Sequence, residues 1–158
     1  MDFDITLTYD APLAQVKDLL RNPDFYASRF NHMQDIGISV DLVEENGVLK
    51  ATTAITVPPS AIPEKAKNFF KQEARASLVE TWDSGAEGTL RFALEGFPIS
   101  LEATSSLKDL GATTERTLTG KISCLLPLVG KSLEAAILKE LPRITEEEEK
   151  AAAAFLKP

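Results

Sequence analysis

Glu80 and Arg116 carry opposite charges, and both sit in stretches that alternate in polarity, at positions in step with apolar neighbours. Successive side chains of a strand project to opposite faces. Glu80 therefore shares a face with Leu78 and Trp82, and Arg116 shares one with Leu118, Gly120 and Ile122. Charges carried into an apolar interior demand partners. The two can pair with each other or hold the polar head of a bound molecule, whereas a bulge in either strand would return them to solvent. Glu148 is a third candidate, inside the run Glu146-Glu147-Glu148-Glu149. Such a run is most simply a solvated helix face, but at least one of its members must turn inward. Glu148, four residues after Ile144 and three before Ala151, is placed to project toward a cavity or its rim. There any of these three groups could serve as a general acid, a base or an electrostatic stabiliser.

Other chemistry finds little support. One histidine, His32, and one cysteine, Cys124, cannot build a nitrogen and sulfur metal site, and no cofactor is expected. A Ser-His-acid triad would have to use His32, yet no Gly-x-Ser-x-Gly pattern accompanies it. His32 reads as a solvated residue near a helix end, and Cys124, in parity with Leu118 and Ile122, as a small core hydrophobe. A formal charge of -7 over 158 residues, with a pI near 4.8, repels nucleic acid and anionic lipid surfaces. No apolar run approaches the roughly 20 residues that span a bilayer, so stable membrane insertion is not expected. A single cysteine and the lack of a leader pattern point to the cytoplasm. The sequence leaves the oligomeric state open.

The candidate residues have to be positioned by strands and one long helix. Phe3 to Tyr9 alternates as a first strand, and Asp10-Ala11-Pro12 and Asn22-Pro23 each offer a cap and a proline to open a short helix. The second of these helices holds Phe25, Tyr26, Phe30 and Met33. Strands over Ile36 to Glu45 and Val48 to Val57 are joined by Asn46-Gly47, a strong hairpin signal. Strands over Ala74 to Trp82, Glu87 to Leu94, Ile99 to Leu107 and Thr113 to Cys124 follow, with turn residues between them. Short turns between successive strands require antiparallel pairing. From Leu128 onward, Leu133, Ile137, Leu141, Ile144, Ala151 and Phe155 recur at helical steps, with a kink or break expected at Pro142.

The fold class is therefore α+β, a single domain over residues 1–158 in which seven antiparallel strands curve around the last helix. Leu90, Phe92, Leu94, Ile99, Leu101, Ala103, Leu118, Ile122, Leu133 and Ile137 should face one another across that interface. They form either a filled core or a pocket wall. The small inward residues Ala51, Thr53, Ala76, Ala103 and Gly120 favour space over filling. A brief helix over residues 62–71, carrying Phe69 and Phe70, could cover the mouth.

The junction Leu126-Pro127-Leu128-Val129-Gly130 with Glu134, and the opening Tyr9-Asp10-Ala11-Pro12 with Val16 and Asn22-Pro23, resemble the START-like superfamily. It is also called the polyketide cyclase and lipid-transport, SRPBCC or helix-grip fold, and the chain looks most like its uncharacterised bacterial branches. The resemblance covers the whole chain and implies the helix-grip architecture and an apolar ligand cavity. On that basis the expected function is binding or transport of a small hydrophobic molecule such as a lipid, isoprenoid or polyketide-like compound. Glu80, Trp82, Leu90, Phe92, Leu101, Ala103, Arg116, Leu118, Leu133, Ile137 and Glu148 would then be the ligand-binding residues. The alternatives are an aromatase or cyclase, and a protein-interaction module with a filled interior.

Overall fold

A computed structural model of the chain describes residues 1–62, 68, 70 and 72–156. The order is β1 (Asp2–Tyr9), α1 (Leu13–Leu19), α2 (Pro23–Ser28), β2 (Gly37–Glu45), β3 (Val48–Val57), β4 (Ala74–Trp82), β5 (Glu87–Leu94), β6 (Ile99–Asp109), β7 (Thr114–Cys124) and α3 (Gly130–Leu156). All pairings are antiparallel, in the spatial order β1-β7-β6-β5-β4-β3-β2. The first strand thus returns to lie beside the last. This is the helix-grip arrangement, with a curved open sheet, two short helices between β1 and β2, and a long final helix.

Local chemistry explains most of the boundaries. Asn46 and Gly47 take φ of 53° and 79°, the paired left-handed geometry of a two-residue hairpin loop, and Glu45 pairs with Val48 across it. Asn22 Oδ1 accepts from the Asp24 amide at 3.0 Å and Pro23 takes the first turn of α2, as expected. The start of α1 differs. Pro12 itself is the cap, with no side-chain hydrogen bond, so the Asp10 carboxylate does not serve there. Pro59–Ala61 form a short 3-10 turn, while most of the helix expected over residues 62–71, Phe69 included, lies outside the described residues.

The path of α3 decides what is covered. Near its start, Glu134 takes the Met1 ammonium at 3.1 Å; near its end, Glu149 accepts from the Thr8 amide at 2.8 Å. Fifteen helical steps at a rise of about 1.5 Å and seven strand steps at about 3.3 Å cover similar lengths. The helix therefore runs alongside β1, packed mainly on β1 and β7. Its inward stripe is Leu133, Ile137, Leu141, Thr145, Glu148 and Ala152, a steady succession of three- and four-residue steps. This corrects the expected stripe, because Ile144 is 51% exposed and Phe155 39%. The helix also begins at Gly130 rather than Leu128, which is fully exposed at a φ of 72°, and it continues through Pro142 instead of breaking.

The core gathers Leu7, Tyr9, Val16, Phe25, Tyr26, Leu101, Leu118, Ile122 and Ala152, from the sheet and all three helices. Across β4 and β5, farther from α3, Leu78, Leu90, Phe92 and Leu94 face inward but remain only half-buried. Gly120 sets the closeness of β6 and β7, since a Cβ there would lie 2.0 Å from the Glu102 carbonyl oxygen and 2.6 Å from Ala103 Cα. Backbone cannot give way as a side chain can. Gly120→Ala should lower stability by about 3 kcal/mol, seen as a reduced denaturant midpoint with the slope unchanged.

Candidate functional site

Four charged side chains from four separate elements meet inside the protein. Arg29, just past α2, bonds to Glu80 of β4 through both terminal nitrogens, at 3.1 and 3.0 Å, and to Glu148 of α3 at 3.0 Å. Arg116 of β7 completes the ring, reaching Glu80 at 3.1 Å and Glu148 at 2.7 Å. Glu80 and Arg116 are 0% and 1% exposed, Arg29 and Glu148 6% and 8%. Two positive and two negative charges cancel. That balance makes their burial tolerable, because an isolated ion in so dry a setting would cost several kcal/mol.

Neutral groups finish the hydrogen bonding. Tyr9 of β1 donates to Glu148 in a short bond of 2.5 Å, and its oxygen accepts from Arg116 at 3.2 Å. Ser105 of β6 accepts from Arg116 Nε at 2.9 Å, and the Tyr26 carbonyl accepts from Arg29 Nε at 3.3 Å. Aromatic faces flank both guanidiniums, with Trp82 at 4.9 Å from Arg116 and Tyr26 at 5.0 Å from Arg29. Burial opposes the charge on Glu148, yet Arg116 and Arg29 outweigh it and hold its carboxyl at about 2, against 4.5 for an ordinary one. Burial and then the Glu148 charge push the Tyr9 hydroxyl well above its usual value, so it stays a donor. Burial alone would lower both arginines, but the surrounding negative groups raise them above the ordinary guanidinium value.

Of the residues singled out from sequence, Glu80, Trp82, Arg116 and Glu148 meet in or against this quartet. Leu101, Ala103 and Leu118 are buried on the inner face, while Leu90, Phe92, Leu133 and Ile137 are half-buried around it. Arg29, Tyr9 and Ser105 escaped sequence reading. Arg29 lies three residues after Tyr26, four after Phe25 and four before Met33, so helical spacing would have put it on the apolar side of α2. His32 stands apart, exposed and 3.7 Å from Glu147, and Cys124 is buried as a free thiol.

A hollow of about 1080 Å³ opens on the opposite, outward face of the sheet, lined by residues such as Lys50, Thr81, Arg91, Glu102, Thr119 and Lys121. It is a broad depression that Phe3, Val79, Leu90, Ala103 and Gly120 also border, and no member of the quartet lines it.

A family described as protein of unknown function (DUF2505) matches residues 4–156. The chain belongs to that family. Among curated proteins no match is found for this DUF2505 chain. Solved structures with the same fold include protein TTHA0849 from Thermus thermophilus, at 16% identity and a TM-score of 0.62, covering 99% of this chain and 100% of the other. The Zhui aromatase/cyclase from a Streptomyces species is 14% identical with a TM-score of 0.63, over 96% and 90% of the two chains. A START superfamily protein from Mycobacterium smegmatis is 13% identical with a TM-score of 0.58, over 98% of each. At such identities the likeness establishes the START-like fold of this DUF2505 chain. Among the described residues, no helix is long and apolar enough to cross a membrane.

Two outcomes follow from the quartet. The Glu148 carboxyl titrates lower in the folded chain than in the unfolded one, so its stabilisation is complete above about pH 4.5 and is lost as pH falls toward 2. That contribution is about 3 kcal/mol. Glu148→Gln should lose about that much at neutral pH and flatten the acid limb of the stability profile measured by urea unfolding. Arg29→Met leaves the two carboxylates facing one guanidinium, and should lower stability by about 3 to 5 kcal/mol.

Proposed function

We propose that the chain is a single START-like domain that binds or carries a small hydrophobic molecule between the inner face of the sheet and α3. The observation that carries this reading is the half-buried apolar surface of β4 and β5, where Leu78, Leu90, Phe92 and Leu94 point toward the helix side without being sealed by it. A monomer that left such a surface without an occupant would forgo the burial that drives folding, about 25 cal/mol for each Å² of apolar area. Ala76, small and only half-buried beside Leu94 on the same face, suits a guest there. Leu90, Phe92, Leu101, Ala103, Leu118, Leu133 and Ile137 would form the apolar wall, with Glu80, Trp82, Arg116 and Glu148 at its polar end.

The fold supports the same reading, since one structure of like architecture is an aromatase/cyclase, a protein whose name implies an organic substrate. Lipid, isoprenoid and polyketide-like compounds are the classes that suit an apolar wall closed by one polar end. The quartet itself argues for binding over catalysis. Glu148 is committed to two arginines and held ionised far below neutrality, a poor setting for a group that must exchange protons at pH 7. The chain's negative charge disfavours nucleic acid as a partner, and its free, buried Cys124 suits a reducing cytoplasm. Native mass spectrometry of protein purified from its own host should show an added mass that organic extraction removes. A single species at the bare chain mass, from host material and after incubation with lipid extract alike, would refute the carrier reading.

A further inference from the structure

Thr53 and Trp82 are the described residues with a fully buried polar side-chain atom that has no hydrogen-bond partner, Oγ1 in one and Nε1 in the other. Buried polar groups are nearly always satisfied, so each exception calls for a reason. Their places are related. On the inner face Glu80 lies opposite Ala51; Thr53, two residues along β3, lies opposite Leu78, and Trp82, two residues along β4, lies opposite Leu49. The two residues therefore flank Glu80 on either side. Thr53 stands at the border where the quartet gives way to the apolar surface, beside Leu78 and, across β2, Val40. Trp82 lies on the other flank, under Arg116.

The quartet also has donors to spare. A guanidinium carries five N–H groups. Arg29 engages its Nε, both hydrogens of one terminal nitrogen and one of the other; Arg116 does the same with Ser105, Tyr9, Glu148 and Glu80. Among the described residues each has one terminal N–H left over. With the unpartnered Thr53 hydroxyl beside them, the border is rich in donors and short of acceptors. Its formal charge is already zero, because two arginines face two glutamates. A carboxylate or an ammonium brought here would introduce an unbalanced buried charge, which a neutral oxygen would not.

We infer that the Thr53 border of the quartet is the head-group site, and that it takes an uncharged oxygen acceptor, a ketone, ester or similar carbonyl, at the end of an apolar chain. This rests on the ligand-binding reading above and narrows it to one class of ligand. The Thr53 hydroxyl donates to that oxygen, the hydrocarbon lies along Leu78 and Phe92, and the quartet stays intact as a neutral wall. Neither Thr53 nor the oxygen it would bind takes part in the ion pairs, so the site can be altered without dismantling them.

The test compares four probes of equal chain length, decan-2-one, decane, decanoate and decylammonium, titrated against Trp82 fluorescence in the wild type and in Thr53→Val. The ketone should bind about tenfold more tightly than each of the others, the worth of one well-made buried hydrogen bond. Thr53→Val should remove that preference and leave decane affinity unchanged, while raising the melting temperature of the empty protein, because it deletes a buried hydroxyl that lacks a partner. A purely structural Thr53 would not couple these opposite signs. Equal affinity for ketone and decane, tightest binding of decanoate or decylammonium, or an unchanged ketone affinity in Thr53→Val would overturn the inference while leaving a hydrophobic binder in place. If none of the four binds, the ligand-binding reading itself fails, and this inference with it.

Discussion

Electroneutrality among four buried ions is the constraint to which the rest of the structure answers. Arg29, Glu80, Arg116 and Glu148 come from a helix end, two strands and the final helix, and no subset of three is balanced. Each element must therefore arrive at one place with near-ideal geometry, because a buried charge without its counterpart costs more than any single apolar contact returns. Replacing such a group by apolar side chains of equal volume is often neutral for stability in other proteins. What the quartet adds is register. It ties β4 to β7 across two intervening strands, and ties α2 and α3 to both.

The long helix illustrates the consequence. Packing alone would let an amphipathic helix slide or rotate over a sheet, but Glu148 must meet Arg116 and Arg29 while Glu134 holds the Met1 ammonium and Glu149 the Thr8 amide. Those contacts align α3 with β1. Alignment with an edge of the sheet leaves the inner face of β4 and β5 incompletely covered, so the polar network and the half-buried apolar surface are two results of one placement. Trp82 joins them, lying against Arg116 and opposite Gly88, where a side chain would collide with the indole at 2.9 Å.

Strand parity made half of the quartet legible in sequence. Glu80 and Arg116 fall in strands without a bulge between them and their apolar neighbours, so the two-residue period holds, and both point inward. Glu148 was legible as the inward member of an acidic run. Arg29 was missed although its spacing from Phe25 and Tyr26 carried the signal, because it falls just past the six-residue α2, where a charged residue reads first as a solvated helix end. Tyr9 reads as one more apolar strand residue until its hydroxyl is seen between Glu148 and Arg116. The stripe of α3 misleads for a related reason. Its inward positions after Pro142 are Thr145, Glu148 and Ala152, of which Glu148 is held by its arginine partners, while the more hydrophobic Ile144 is turned to water.

The chain positions of the quartet bear on biosynthesis. Arg29, Glu80 and Arg116 leave the ribosome well before Glu148, and until the last of them emerges the nascent sheet carries an excess of one positive charge at its centre. Docking of the final helix is therefore both the closing step of the topology and the step that neutralises its interior. Contacts so distant along the chain form late and slowly. An emerging chain should remain loose, and exposed to chaperones, until Glu148 and the rest of α3 are free to swing into place.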